Sequence, residues 1–141
     1  MRLALLTAAV LFAAPALAQD RPVEMRQALV GLTRVLGESH ALRQTCEGAS
    51  DQYWRGRMNR LVETEQPDEV LDAKMKASFS AGFAESRRLY PLCSEETRRA
   101  LALAAVRGRE LSTTLAHARY RVGVMPVEPE AEQVAAEPEP R

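Results

Sequence analysis

The pattern of apolar and polar positions along this chain is helical almost throughout. Apolar residues recur every three or four positions, whereas alternating runs and the Asn-Gly or Asp-Gly turns typical of β-hairpins are absent. The pattern predicts four helices, over about residues 21–45, 51–64, 67–89 and 95–121. Because short loops separate them, the sequence indicates an all-α fold, a small antiparallel bundle of about four helices running up, down, up and down.

Each predicted helix has one apolar stripe, and three of them have a clear start. Asp20 and Ser94 are expected to cap the first and fourth helices, and Pro67 to start the third. Gly82 lies between two phenylalanines of one face, which indicates a close approach by a neighbouring helix backbone. The predicted inner positions are Met25, Leu29, Leu32, Leu36 and His40, then Trp54, Met58 and Leu61, then Leu71, Met75, Phe79, Gly82, Phe83 and Ser86, and finally Leu101, Ala104, Gly108, Leu111, Leu115 and Ala118.

Residues 1–18 have the three parts of a secretory signal peptide. Arg2 precedes an apolar run, and the run ends at Ala16-Leu17-Ala18, the small-x-small pattern at which signal peptidase cleaves. The run is too short to anchor the chain in a bilayer, and no later stretch is apolar enough to cross one. We therefore expect a periplasmic protein without an integral membrane segment after cleavage.

Charge divides the rest of the chain into two parts. Residues 19–121, the predicted helical domain, contain 17 Lys and Arg against 14 Asp and Glu, a net charge of +3. Residues 122–141 contain five Glu and one Arg, a net charge of −4, together with four prolines. Such a composition predicts a disordered acidic tail, with a spacer or docking strand as the alternative. The small positive balance of the domain does not indicate nucleic-acid binding.

The two cysteines, Cys46 and Cys93, are predicted to form a disulfide bond. Oxidised pairs are usual in exported proteins, and the up-down-up-down order places both residues at the same end of the bundle. Closing this loop stabilises the fold by about 4 kcal/mol in the chain-entropy model. The spacing excludes a CxxC redox motif, and a metal site formed with His40 lacks a fourth ligand. No metal and no cofactor are predicted.

Two sets of residues are candidates for function. Trp54, Arg55 and Arg57 are interpreted either as a core anchor flanked by surface charges or as an interaction patch, since Trp and Arg dominate interface hot spots. His40 and Glu65 are candidates for a polar site, with a histidine at the edge of the core as the alternative for His40. No hydrolase, metalloprotease or phosphate-loop motif accompanies them, so no catalytic residue is assigned.

Several of these residues together resemble an uncharacterised family of alphaproteobacterial exported proteins. They are Leu36-Gly37 with His40, Leu42 and Cys46, then Trp54-Arg55 with Met58, Leu61 and Glu65, then Phe79-Ser80-Ala81-Gly82-Phe83, and Tyr90 with Cys93. The resemblance covers roughly Met25 to Tyr120. It implies a disulfide between the two well-separated cysteines and a periplasmic location, and it implies no known activity, substrate or cofactor.

The leading hypothesis is a non-enzymatic periplasmic binding or adaptor protein, whose partner is an unknown envelope protein or polymer. The alternative is a cell-envelope hydrolase that uses His40 and Glu65. A third option, a carrier of a small apolar ligand, requires a cavity within the bundle. The hypotheses differ in whether His40 and Glu65 meet in an open pocket.

Overall fold

The computed structural model of the chain describes residues 21–123, which form four α-helices and no β-strand. They are α1 (Val23–Glu47), α2 (Tyr53–Glu65), α3 (Glu69–Leu89) and α4 (Glu95–Gly123). The all-α prediction is confirmed, and the helix bounds agree with the predicted ones within about two residues. The predicted signal peptide, the predicted helix cap Asp20 and residues 124–141 of the predicted disordered tail lie outside the described residues. None of the helices within residues 21–123 combines the length and apolarity needed to cross a membrane.

The starts of three helices have identifiable causes. Asp68 caps α3 by accepting a hydrogen bond from the backbone N–H of Leu71 at 2.9 Å, so α3 begins after Pro67 and not at it. Ser94 caps α4 as predicted, because its hydroxyl accepts from the N–H of Thr97 at 3.2 Å. Pro22 directly precedes α1, which begins at Val23. Helix α1 therefore starts about two residues later than residue 21, where the sequence predicted its start.

Helix α1 is the central element of the bundle. It packs against α3, α4 and α2, whereas the backbones of these three helices stay largely apart from one another. Helix α3 runs parallel to α1, because Arg26 pairs with Asp68 at one end and Thr45 contacts Tyr90 at the other. Helices α2 and α4 run antiparallel to α1. The predicted up-down-up-down order is therefore present, with one helix surrounded by the other three.

Because α1 lies at the centre, its buried residues extend beyond the single apolar stripe that the sequence predicted. Met25, Leu29, Leu36 and His40 are buried as predicted. So are residues outside that stripe, namely Ala28, Thr33, Val35, Gly37, Ser39, Ala41 and Leu42. Thr33 satisfies its hydroxyl within the helix by donating to the Val30 carbonyl at 2.9 Å, which lets a polar residue lie in the interior. Leu32, a predicted core residue, is only half-buried.

Two glycines let α1 and α3 cross with their backbones in contact. A Cβ atom on Gly82 would overlap with the Arg34 carbonyl, and a Cβ atom on Gly37 would overlap with the Phe79 carbonyl. The close approach predicted at Gly82 is therefore confirmed, and Gly37 is its counterpart on α1. At both positions the missing side chain is a requirement of packing.

The disulfide between Cys46 and Cys93 is confirmed, with their Cα atoms 4.8 Å apart. It joins the last turn of α1 to the loop between α3 and α4, at the end of the bundle that the topology predicted. Thr97 holds the same loop, because its hydroxyl donates to the Leu92 carbonyl at 2.7 Å. Three helices are thus fixed to one another at this end.

Candidate functional site

An open groove of about 680 Å³ lies between α2 and α4, with α1 as its floor. We refer to it as the α2–α4 groove. It exists because α2 and α4 both pack on α1 but their backbones do not pack on each other. Its lining residues are Leu32, Val35, Leu36 and Ser39 of α1, Tyr53, Trp54, Arg57 and Leu61 of α2, and Ala104, Ala105, Gly108, Arg109, Ser112 and Thr113 of α4.

The two walls of the groove differ in side-chain size. On α2, Trp54 and Leu61 lie two turns apart on one face and contribute large apolar surfaces. On α4, Ala104, Ala105 and Gly108 contribute little beyond the backbone. The half-buried floor leucine and the small α4 wall leave apolar surface open along the groove.

Arginines supply the charge of the groove. Arg57 and Arg109 are the charged residues among its described lining, and no carboxylate lines it. The Arg57 guanidinium donates to the Tyr53 hydroxyl at 3.0 Å and lies 5.1 Å from the centre of that ring. Trp54 contacts Tyr53 edge to face, with ring centres 5.0 Å apart. The groove therefore combines an apolar floor with a positively charged, aromatic rim.

The structure divides the predicted patch of Trp54, Arg55 and Arg57. Trp54 and Arg57 line the α2–α4 groove, while Arg55 lies on another side of α2, over the Phe79 ring at 5.7 Å. Successive helical residues are about 100° apart, so neighbours in sequence face different directions whereas residues three apart share a face. Trp54 is half-buried and packs against the core, as the core-anchor interpretation predicted, and its role in an interaction patch stays a prediction.

His40 lies in the interior between α1 and α3. Its side chain is buried, with 1% of the residue exposed, and its ring lies 5.9 Å from Phe79 and 5.3 Å from Phe83, centre to centre. Burial lowers the pKa of His40, the positive charge of Arg55 lowers it further, and Asp51 acts in the opposite direction. Within the described residues, Nδ1 has no hydrogen-bond partner. These contacts are those of a neutral core histidine.

Glu65 lies at the end of α2, 6% exposed, in an ion-pair cluster. Its carboxylate pairs with Arg119 of α4, and Arg21 lies 4.0 Å away. Arg21 also donates to the backbone carbonyl of Glu65. The cluster joins the last turn of α2 to α4 and to the segment that precedes α1.

His40 and Glu65 are not brought together. Glu65 contacts the chain just before Val23, at the start of α1, and His40 lies 17 residues farther along that helix, roughly 25 Å away. Each is buried among its own neighbours. Among residues 21–123, moreover, no three His, Cys, Asp or Glu side chains converge as metal ligands.

The residues of the helical bundle match a family model described as a protein of unknown function (DUF2385), over residues 24–120. The chain belongs to the DUF2385 family. No curated protein and no solved structure matches the chain. The match spans all four helices, so the groove and the disulfide both lie in the part of the chain that the DUF2385 model covers.

In this DUF2385 protein, sequence reasoning missed the α4 side of the groove. Arg109 was not selected as a candidate, and Ala104 and Gly108 were interpreted as positions of an inner stripe. Ala104 is indeed buried, yet Ala105 and Arg109 beside it are exposed. The small residues of α4 were a signal that this helix face could lie close to another chain segment. That the face stays uncovered depends on the path of α2, which the sequence does not show.

Proposed function

We propose that this DUF2385 member is a non-enzymatic periplasmic binding or adaptor protein that holds an acidic amphipathic helix of an envelope partner in the α2–α4 groove. The observation that carries the proposal is the groove itself, with an apolar floor and two arginines but no carboxylate in its lining. The role in the cell envelope rests on the signal-peptide pattern of residues 1–18. The disulfide supports an oxidising compartment.

The shape of the groove favours a helix as the occupant. The α4 wall spans residues 104–113, about 14 Å along the helix axis, which is the length of two to three helical turns. An occupant in this position would pack against α1, α2 and α4 at once and would extend the bundle. The small residues of the α4 wall allow a close approach, and an apolar helix face fits such a groove at positions i, i+3, i+4 and i+7.

Charge selects an acidic partner. A carboxylate beside the apolar face of the occupant would pair with Arg57 or Arg109, whose guanidinium groups flank the groove. A lysine in the same place would face like charge on both walls, with no acidic lining residue to offset it. Tyr53 and Trp54 supply rigid aromatic surface of the kind that dominates interface energetics.

The hydrolase alternative would require His40 and Glu65 at one site. The two residues lie in separate surroundings, His40 against Phe79 and Phe83 and Glu65 against Arg119. Binding is therefore the function that the geometry supports best.

The test uses Trp54, the single tryptophan of the chain, as its probe. A 14-residue synthetic helix with leucines at i, i+3, i+4 and i+7 and glutamates elsewhere is titrated against the oxidised mature protein. Binding should change Trp54 emission, and a peptide with lysine in place of every glutamate should bind at least about tenfold more weakly. No binding of the glutamate peptide at millimolar concentration, or equal binding of both peptides, would refute the proposal.

Variants assign the binding to the groove. Arg57→Gln together with Arg109→Gln should weaken binding of the glutamate peptide by about tenfold, because each removes an exposed ion pair that contributes up to about 1 kcal/mol. Ala105→Phe should block the groove from an exposed position on α4. Arg88→Gln is the matched control, since Arg88 is an exposed arginine on α3, outside the groove. A loss of binding in that control equal to the loss in the groove variants would place the peptide elsewhere.

A further inference from the structure

The segment that follows α4 has the chemistry that the groove selects. Residues 124–141 carry five glutamates and one arginine, and in the sequence they follow α4, the helix that forms one wall of the groove. We propose that residues 130–137 of the chain itself occupy the α2–α4 groove and compete there with the external partner. The proposal rests on the binding function proposed above, and it names a regulator of the same site.

The sequence of this window has an apolar face flanked by acids. Ala131, Val134 and Ala135 fall at i, i+3 and i+4, the spacing of one helical face. Glu130, Glu132 and Glu137 lie beside that face, and Pro129 and Pro138 bound the window, whose interior contains no proline. Alanine, glutamate and glutamine are strong helix formers. Residues 130–137 therefore match the class of occupant for which the groove is built.

The connection has the required length. Thr113, the last groove residue on α4, lies ten residues before Gly123, which is about 15 Å along the helix. Residues 124–129 cover about 20 Å when extended, so they can return the chain to the near end of the groove. From there, eight helical residues reach about 12 Å farther, close to the length of the α4 wall.

Tethering compensates for the weakness of so short an occupant. Three small apolar side chains and a few carboxylates give low affinity for a free peptide. A segment tethered by a short linker, however, has an effective concentration of about 1 mM or more. If the free peptide binds with a Kd near this value, the tethered segment fills the groove about half the time. It then lowers the apparent affinity of an external helix about twofold, and by more if its own Kd is smaller.

The experiment measures the Kd of the same 14-residue glutamate peptide for the mature chain and for a chain ending at Gly123. All four helices lie within the shorter chain, and its melting temperature is checked first. Truncation should tighten binding about two- to tenfold. Val134→Asp in the full chain should reproduce the gain, since it removes the largest apolar group of the window. Val127→Asp, outside the window, should not.

Acrylamide quenching of Trp54 without any peptide gives an independent measurement. Acrylamide should quench Trp54 more strongly in the truncated chain than in the full chain. The ratio of the two quenching constants should not change with protein concentration. Equal peptide affinity and equal quenching would overturn the tail proposal while leaving the binding function intact. If the peptide binds neither chain, the binding function fails, and quenching alone decides whether the tail covers Trp54. Protection that grows with protein concentration would assign the occupant to a second copy and would overturn the intramolecular proposal.

Discussion

The contact between α1 and α3 predicts that Gly37→Ala destabilises the protein, although alanine is the better helix former. Gly37 lies inside α1, where replacing glycine by alanine gains about 0.5–1 kcal/mol of helix propensity. The added Cβ atom, however, would overlap with the Phe79 carbonyl oxygen and would also meet the carbon of that carbonyl. These are backbone atoms of α3, which cannot rotate away as a side chain would.

The magnitude follows from what must move. To admit the methyl group, α1 and α3 have to separate along the crossing that also includes Gly82 and Arg34. Overpacking of this kind costs about 1–3 kcal/mol, and more where backbone is displaced. After subtraction of the propensity gain, we expect a net loss of about 2 kcal/mol in the free energy of unfolding. For a domain of about 100 residues this lowers the melting temperature by about 10 °C.

Gly56→Ala is the matched control. Gly56 lies inside α2, and a Cβ atom built there meets nothing within 4 Å. The same substitution should therefore raise the free energy of unfolding by up to about 1 kcal/mol. Urea unfolding of the oxidised protein, followed by far-UV circular dichroism, measures both changes. If Gly37→Ala stabilised the protein as much as Gly56→Ala, the two helices could not be in backbone contact, and the reasoning would be refuted.

Three further predictions concern stability. The purified protein should contain no free thiol, and reduction of Cys46–Cys93 should lower the melting temperature by several degrees or more. Two titratable thiols in the folded protein would contradict this prediction. The pKa of His40 is lower in the folded protein than in the unfolded chain, so the unfolded chain binds a proton first as the pH falls. The free energy of unfolding should therefore decrease as the pH drops below about 6.5, and it should decrease less steeply in His40→Leu. Identical pH profiles for the wild-type protein and the variant would exclude His40 as the cause. Glu65→Ala should cost about 1–3 kcal/mol by removing the carboxylate that pairs with Arg119, whereas exposed Glu63→Ala should cost little, as urea unfolding can show.

Features that depend on neighbouring residues in the chain could be predicted from sequence. The periodicity of apolar residues predicted all four helices, and Ser94 predicted the start of α4, because a cap acts within a few residues. The pairing of Cys46 with Cys93 was predicted because the chain has two cysteines and a signal-peptide pattern, and the helix order agreed with it, since alternating directions bring both to one end. The close backbone approach at Gly82 was predicted from its position between Phe79 and Phe83 on one helix face, because a glycine there indicates that a neighbouring backbone takes the place of a side chain.

Features that depend on how the helices are arranged around one another could not be predicted. One apolar stripe was assigned to α1, yet this helix is surrounded, so that Thr33 and Ser39 are buried outside the stripe. A short polar side chain in a helix is common both on surfaces and in interiors, and its sequence context did not distinguish the two. Glu65 was selected as a polar candidate, but its partner Arg119 lies more than 50 residues away in sequence.

The groove shows why the candidate site was harder to predict than the fold. Trp54 and Arg57 were selected by residue type, and their shared face follows from a spacing of three. Whether that face meets another helix or remains open depends on α4, which rests on α1 without packing its backbone against α2. In a regular four-helix bundle the same residues would be covered by a neighbour. Because α1 lies at the centre, α2 and α4 each pack one face on α1 and leave another face uncovered. The apolar surface that remains exposed between α2 and α4 is the surface that a partner helix would cover.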